Sequence, residues 1–197
     1  MSDKIIWNFF ISLINQQMED ISVIQLILIC LMAVIIINLI IFIYSRLSGC
    51  KITLARRILI SLLIVYGCFM YMITLERREA GSRTGINTSL DFGSFSGDFF
   101  SIQQAIYCLL NVVFFVPLGM ILSFLQKKKR VLVNFIMVTL QGFLISILIE
   151  TSQLITQRGY FEITDIITNT VGATIGCILA LIIMSAINHS KINDTYK

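Results

Sequence analysis

The chain has a single histidine, His189, and a single proline, Pro117. One imidazole cannot supply a multi-histidine zinc site, and no histidine-based triad can be built around a tail residue ten or more residues past the polar cluster in membrane depth. The five cysteines, Cys30, Cys50, Cys68, Cys108 and Cys177, show no C-x-x-C spacing, so neither a disulfide framework nor a thiolate metal centre is expected. The sequence assigns no metal and no cofactor. Charge is scarce as well: 13% of the 197 residues are Asp, Glu, Lys or Arg. The basic run Lys127-Lys128-Lys129-Arg130 lacks the interleaved aromatics of a nucleic-acid face, so no nucleic-acid partner is expected.

What fills the chain instead is hydrocarbon, with 57% hydrophobic residues and a mean hydropathy of +0.89. That composition lies outside the soluble globular range. A helix needs roughly 17 to 25 mainly apolar residues to cross a bilayer. Five stretches qualify: residues 21–44, 58–75, 104–125, the segment from the basic run to residue 155, and 165–187. They are uniformly apolar without period-two alternation, which selects helices over a barrel. The expected fold is an all-α polytopic membrane bundle of five transmembrane helices plus an N-terminal interfacial helix. That last element, over residues 5–18, carries Trp7, Phe9 and Phe10 among polar breaks, and is too short to span.

Strict alternation puts Arg46, Lys51, Arg56, Arg57, Lys127, Lys128, Lys129, Arg130, Lys191 and Lys197 on one side of the membrane. The other side receives Lys4, Arg77, Arg78, Arg83 and Arg158. The positive-inside rule makes the first side cytoplasmic, with the N-terminus extracellular and the C-terminus cytoplasmic. The long loop 77–101, rich in glycine and serine with Phe92, Phe95, Phe99 and Phe100, then lies outside and dips into the interface.

Ionisable residues inside membrane spans are costly, about 2.5 to 3.5 kcal/mol at a helix centre, and mark functional sites by default. Here ionisable and amide side chains gather near one face. Glu150 lies roughly 8 Å inside the outer end of the fourth span, Asn169 roughly 6 Å inside the fifth and Asn111 roughly 10 Å inside the third. On the fourth span Gly142, Ser146, Glu150, Gln153 and Gln157 fall on one stripe; on the fifth, Asp165, Asn169, Gly172 and Gly176 do the same. Each stripe is small at one end and polar at the other. Gly172 and Gly176 with Gly142 and Ser146 are expected to seat the fourth and fifth helices together. Pro117, followed by Gly119, is expected to kink the third by removing a donor and crowding Val113.

The order Asn111-Val-Val-Phe-Phe-Val-Pro117-Leu-Gly119, then Glu150-Thr-Ser-Gln153, Arg158, Phe161-Glu162-Ile163-Thr164-Asp165 and Asn169-Thr-Val-Gly172-Ala-Thr-Ile-Gly176 resembles the VanZ-like family of bacterial membrane proteins. The resemblance covers about residues 104–180, with the first span outside it. It divides the chain into an amphipathic segment 1–20, a first helix and cytoplasmic loop 21–57, a VanZ-like transmembrane domain 58–187 and a cytoplasmic tail 188–197 that holds His189. Glu162 and Thr164 stand where family members commonly carry aspartates. The resemblance implies a role in lowering susceptibility to teicoplanin and related lipid-anchored glycopeptides.

Three mechanisms fit these residues. A lipid-linked cell-wall component, a membrane lipid or a glycopeptide antibiotic binds, with Arg158 holding an anionic head group and Asn111, Glu150, Gln153, Glu162, Asp165 and Asn169 around it. Alternatively the protein is an intramembrane enzyme on a lipid head group, with Glu150 as general base and Asp165 or Glu162 as acid or orienter. In the third, the polar groups only lock helices together, with Glu150 and Arg158 as a buried ion pair.

Overall fold

The computed structural model describes residues 7–8, 11–12, 15, 23–49, 51–76, 78–126 and 130–195. The expected interfacial helix over 5–18 and the basic residues 127–129 therefore lie, wholly or in most positions, outside the described residues. Among the described residues five long helices follow one another: α1 (Val23–Ser48), α2 (Leu54–Tyr71, prolonged by a π-helical turn, Met72–Glu76), α3 (Phe99–Leu125), α4 (Val131–Ile155) and α5 (Ile163–Thr195). Each contains a stretch long and apolar enough to cross a membrane. The chain is an all-α polytopic bundle.

Caps show why some helices start where they do. Thr53 accepts the Arg56 N–H at the start of α2, and Asp98 accepts the Ser101 N–H at 2.9 Å to open α3. That cap moves the start of α3 upstream, from the expected residue 104 to Phe99. α3 runs uninterrupted through Pro117. α5 begins at Ile163 and continues beyond the apolar stretch to Thr195.

Packing is uneven. α3 and α5 form the centre of the bundle, with α4 against them; α2 leans on α3, and α1 touches α2 at the periphery. Only 6% of the apolar window of α1 is buried, against 33% for α3. A hydrophobic cluster of Met70, Phe115, Leu118, Leu122, Val138, Ala173 and Cys177 fills the space between α2, α3, α4 and α5. The Tyr66 hydroxyl crosses from α2 to the Phe114 carbonyl of α3, and the Tyr66, Phe69 and Phe114 rings pack at centroid separations near 6 Å.

The glycine stripe of α5 docks differently from expectation. A Cβ on Gly172 would stand 2.2 Å from Val112 O, and one on Gly176 2.0 Å from Val116 O. Both glycines therefore face α3 rather than α4. Gly119 of α3 returns the contact, its added Cβ meeting Ala173 O, while Gly142 of α4 receives the Ala173 side chain. Two backbones can touch this closely only where no side chain intervenes. Gly172 and Gly176 step by four along one helical face, and that face is what α3 covers.

Candidate functional site

The polar residues collect where α4 ends, α5 begins and the segment between α2 and α3 folds back over them. Glu150 sits one turn from the end of α4 and is 2% exposed. Its Oε2 accepts the Glu162 backbone N–H at 3.0 Å, tying the helix to the turn that follows it. Gln153, also buried, donates from Nε2 to Thr74 O at 3.2 Å and so binds α4 to the end of α2. Asn169 is buried on α5 and donates to Ser146 Oγ of α4 at 2.9 Å, leaving its own Oδ1 buried without a partner among the described residues. Ser146, Glu150 and Gln153 thus share the buried stripe that their spacing predicts. Gln157 does not join it, because α4 ends at Ile155 and Gln157 is an exposed turn residue at φ +54°.

The chain reverses through residues 156–162 and meets the incoming segment 83–87. Short strands β1 (Ile86–Asn87) and β2 (Phe161–Glu162) pair in parallel, Ile86 opposite Phe161 and Asn87 opposite Glu162. Arg83 N to Gln157 O and Phe161 N to Gly85 O extend the ribbon. Thr164, in the first turn of α5, donates to Ser89 O at 3.1 Å and accepts the Asp91 N–H at 3.3 Å. Its hydroxyl therefore fastens the loop rather than capping α5. Asp91 O in turn receives Gln104 Nε2 and Cys108 Sγ from α3, and Asp91 Oδ1 accepts the Gly93 N–H. Gly93, at φ +63°, is pressed against the Ser101 carbonyl, where a side chain has no room. The loop is a strapped cover, with Phe92, Phe95, Phe99 and Phe100 exposed.

Asn111 of α3 lies near enough to the Asp165 side chain at the start of α5 to interact with it. Val112 and Val116 lie beside Gly172 and Gly176, a register of 60 residues, so Ile163 stands about level with Gln103 and roughly the first turn of α3 projects past the start of α5. Asp165, Glu162 and Asn111 are half-buried, in contrast to the sealed Glu150, Gln153 and Asn169.

Arg158 does not pair with Glu150. Its Nη1 donates to Leu75 O at 2.9 Å and to Glu76 Oε2 at 3.3 Å, an ion pair at the end of α2 with the arginine side chain 24% exposed. The cation that faces the carboxylates is Arg78, which the stripes of the last three helices could not suggest because it belongs to another segment. Arg78 Nη1 donates to Arg158 O, and its guanidinium feels Glu150, Asp165 and Glu162 together. Burial, aided by Arg83, pulls its pKa below the ordinary arginine value, while the three carboxylates push it back up. Gly159 makes room for it: a Cβ there would stand 2.5 Å from Arg78 Nη1 and 3.0 Å from Gln153 Oε1. Among the described residues no group of three or more His, Cys, Asp and Glu is arranged to hold a metal ion.

The site is thus a ring of half-buried Arg78, Arg158, Glu162, Asp165 and Asn111 laid over a sealed layer of Glu150, Gln153 and Asn169. A family model described as VanZ/LLP1 matches residues 24–184, so the match takes in α1 as well as the residues 104–180 that carry the resemblance. Among curated proteins and among solved structures, none matches the chain. With five membrane-length helices and a match running from α1 to α5, the chain belongs to the VanZ/LLP1 family.

Proposed function

We propose that the protein binds the polar head of a lipid-linked or lipid-tailed envelope molecule at this ring, and that this binding lowers susceptibility to teicoplanin or related lipoglycopeptides. In this reading the ring faces outward, and the asymmetry of lysine and arginine supports that orientation. The observation that carries it is the division into two layers. Glu150, Gln153 and Asn169 spend their hydrogen bonds on Glu162 N, Thr74 O and Ser146, whereas Arg78, Arg158, Glu162, Asp165 and Asn111 keep exposed surface. A guanidinium offers five donors, and both side-chain hydrogen bonds of Arg158 to the end of α2 run through Nη1, so an anionic group has donors left to meet. Glu162 and Asp165 would accept from hydroxyls or amides of the same head group, and the exposed phenylalanines of the loop would lie along its tail.

Burial also weighs against the catalytic reading. A general base must come within hydrogen-bond reach of the proton it takes. Glu150 is sealed beneath the turn and already holds the Glu162 N–H, so it acts on the ring by fixing the turn that carries Glu162 and Arg158.

The test is expression in a teicoplanin-susceptible bacterial host, with membrane abundance followed in parallel. The Arg158→Ala variant is expected to accumulate like wild type and to lose the protection that wild type gives. Full protection by that variant would refute the binding role, and loss of protein from the membrane in step with loss of protection would favour a packing role alone.

A further inference from the structure

At the other end of α1 and α2 the chain has cations without carboxylates. Residues 21–75 contain no Asp or Glu, while Arg46, Lys51, Arg56 and Arg57 gather where α1 gives way to α2. Arg46 lies over the Phe42 ring, and Lys51 and Arg56 are exposed. Arg57 differs from them. It is half-buried in the first turns of α2, and its Nε is buried with no hydrogen-bond partner among the described residues. A charged donor left in that state is costly, and the usual remedy is an acceptor.

Beside it a cavity of about 320 Å³ opens between α1 and α2, lined by Arg57, Asn38 and Ser61 with Leu54, Ile58 and Leu62. Asn38 donates to Val34 O at 2.9 Å and to Ser61 Oγ at 3.1 Å, which leaves the Ser61 proton to be donated elsewhere. The apolar lining is open to the surroundings: Leu54 is 73% exposed, Ile58 51% and Leu62 48%. Polar donors thus stand at the mouth of a groove whose walls are hydrocarbon-facing.

We propose that this groove holds one anionic phospholipid, its phosphate accepting from Arg57 and Ser61 and one acyl chain lying along Leu54, Ile58 and Leu62. Charge complementarity selects this occupant. Four cations with no acid in their segment attract net negative head groups, and a guanidinium matches phosphate geometry. The depth agrees as well, since Arg57 is only roughly 5 Å along the helix from Leu54, at the level of an interface.

The experiment is native mass spectrometry of the full chain purified in detergent with equimolar phosphatidylglycerol and phosphatidylcholine. Wild type is expected to retain the anionic lipid in preference by roughly tenfold, the worth of one charge-assisted hydrogen bond. Arg57→Ala should bring the two lipids to parity, and so should Ile58→Trp, which keeps the charge and fills the groove. Arg56→Ala, on an exposed residue outside the lining, should keep the preference. Parity in wild type would overturn the proposal, as would loss of preference in Arg57→Ala without loss in Ile58→Trp. Inorganic phosphate added alone should displace no lipid; displacement would reveal a free-anion site and overturn the acyl-chain assignment.

Discussion

Gly176→Ala tests whether the contact between α3 and α5 holds the bundle together. The new Cβ would lie 2.0 Å from Val116 O and 2.9 Å from Met120 N, both backbone atoms of a helix whose Phe115 and Leu118 are buried in the core. Backbone cannot rotate aside, so the helices must separate by about 1 Å, an overpacking whose cost lies near the upper end of the usual 1 to 3 kcal/mol. Helix propensity favours alanine over glycine by about 1 kcal/mol, leaving a net loss of about 2 kcal/mol. Gly67→Ala on α2 supplies the opposite sign. An added Cβ there meets nothing within 4 Å, so only the propensity gain of about 1 kcal/mol remains. Unfolding of the two variants in a fixed detergent and denaturant series, followed by circular dichroism, should therefore move their midpoints in opposite directions. Equal midpoints, or a more stable Gly176→Ala, would refute the claim that α3 and α5 meet backbone to backbone.

The sealed layer and the ring make further measurable differences. Glu150→Ala should cost about 3 kcal/mol, because it strands the Glu162 N–H and leaves a cavity, whereas Glu150→Gln keeps an acceptor oxygen and should stay within about 1 kcal/mol; thermal unfolding in detergent separates the two. Arg78→Met removes a half-buried cation that Glu150, Asp165 and Glu162 attract, together with its hydrogen bond to Arg158 O, and should lower stability by about 1 to 2 kcal/mol. Arg83→Met, on an exposed side chain, should stay near wild type in the same assay. A double-mutant cycle on Ser146→Ala and Asn169→Ala should give a coupling of about 0.6 kcal/mol, and no more than about 1.7, if their 2.9 Å hydrogen bond acts as other interhelical bonds in membranes do.

Much of the architecture is legible in the residues because apolar runs of membrane length leave few alternatives. The fourth helix ends at Ile155 as expected, and Ser146, Glu150 and Gln153 share a buried stripe because a helical period leaves them no other choice. Two boundaries shift for local reasons: Asp98 caps α3 upstream, and α5 begins as soon as the β2 pairing stops. What failed was pairing between segments. Gly172 and Gly176 are small on one face, but nothing in that pattern says whether α3 or α4 will cover it. Likewise an arginine near a carboxylate in sequence suggested Arg158 with Glu150, whereas Arg158 turned to Glu76 and the carboxylates drew Arg78 from 72 residues upstream of Glu150.

By itself, then, the sequence determined that this chain must be helical, must lie in a bilayer and must bring costly polar groups to one end of its last three helices, since burial and backbone hydrogen bonding in hydrocarbon depend only on residue type and run length. The tertiary structure alone decided which of those groups are sealed and which stay open, because that depends on the loop strapped down by Thr164 and Asp91 and on the close approach of α3 and α5. Contacts of that kind join residues far apart in the chain, and no local periodicity encodes them.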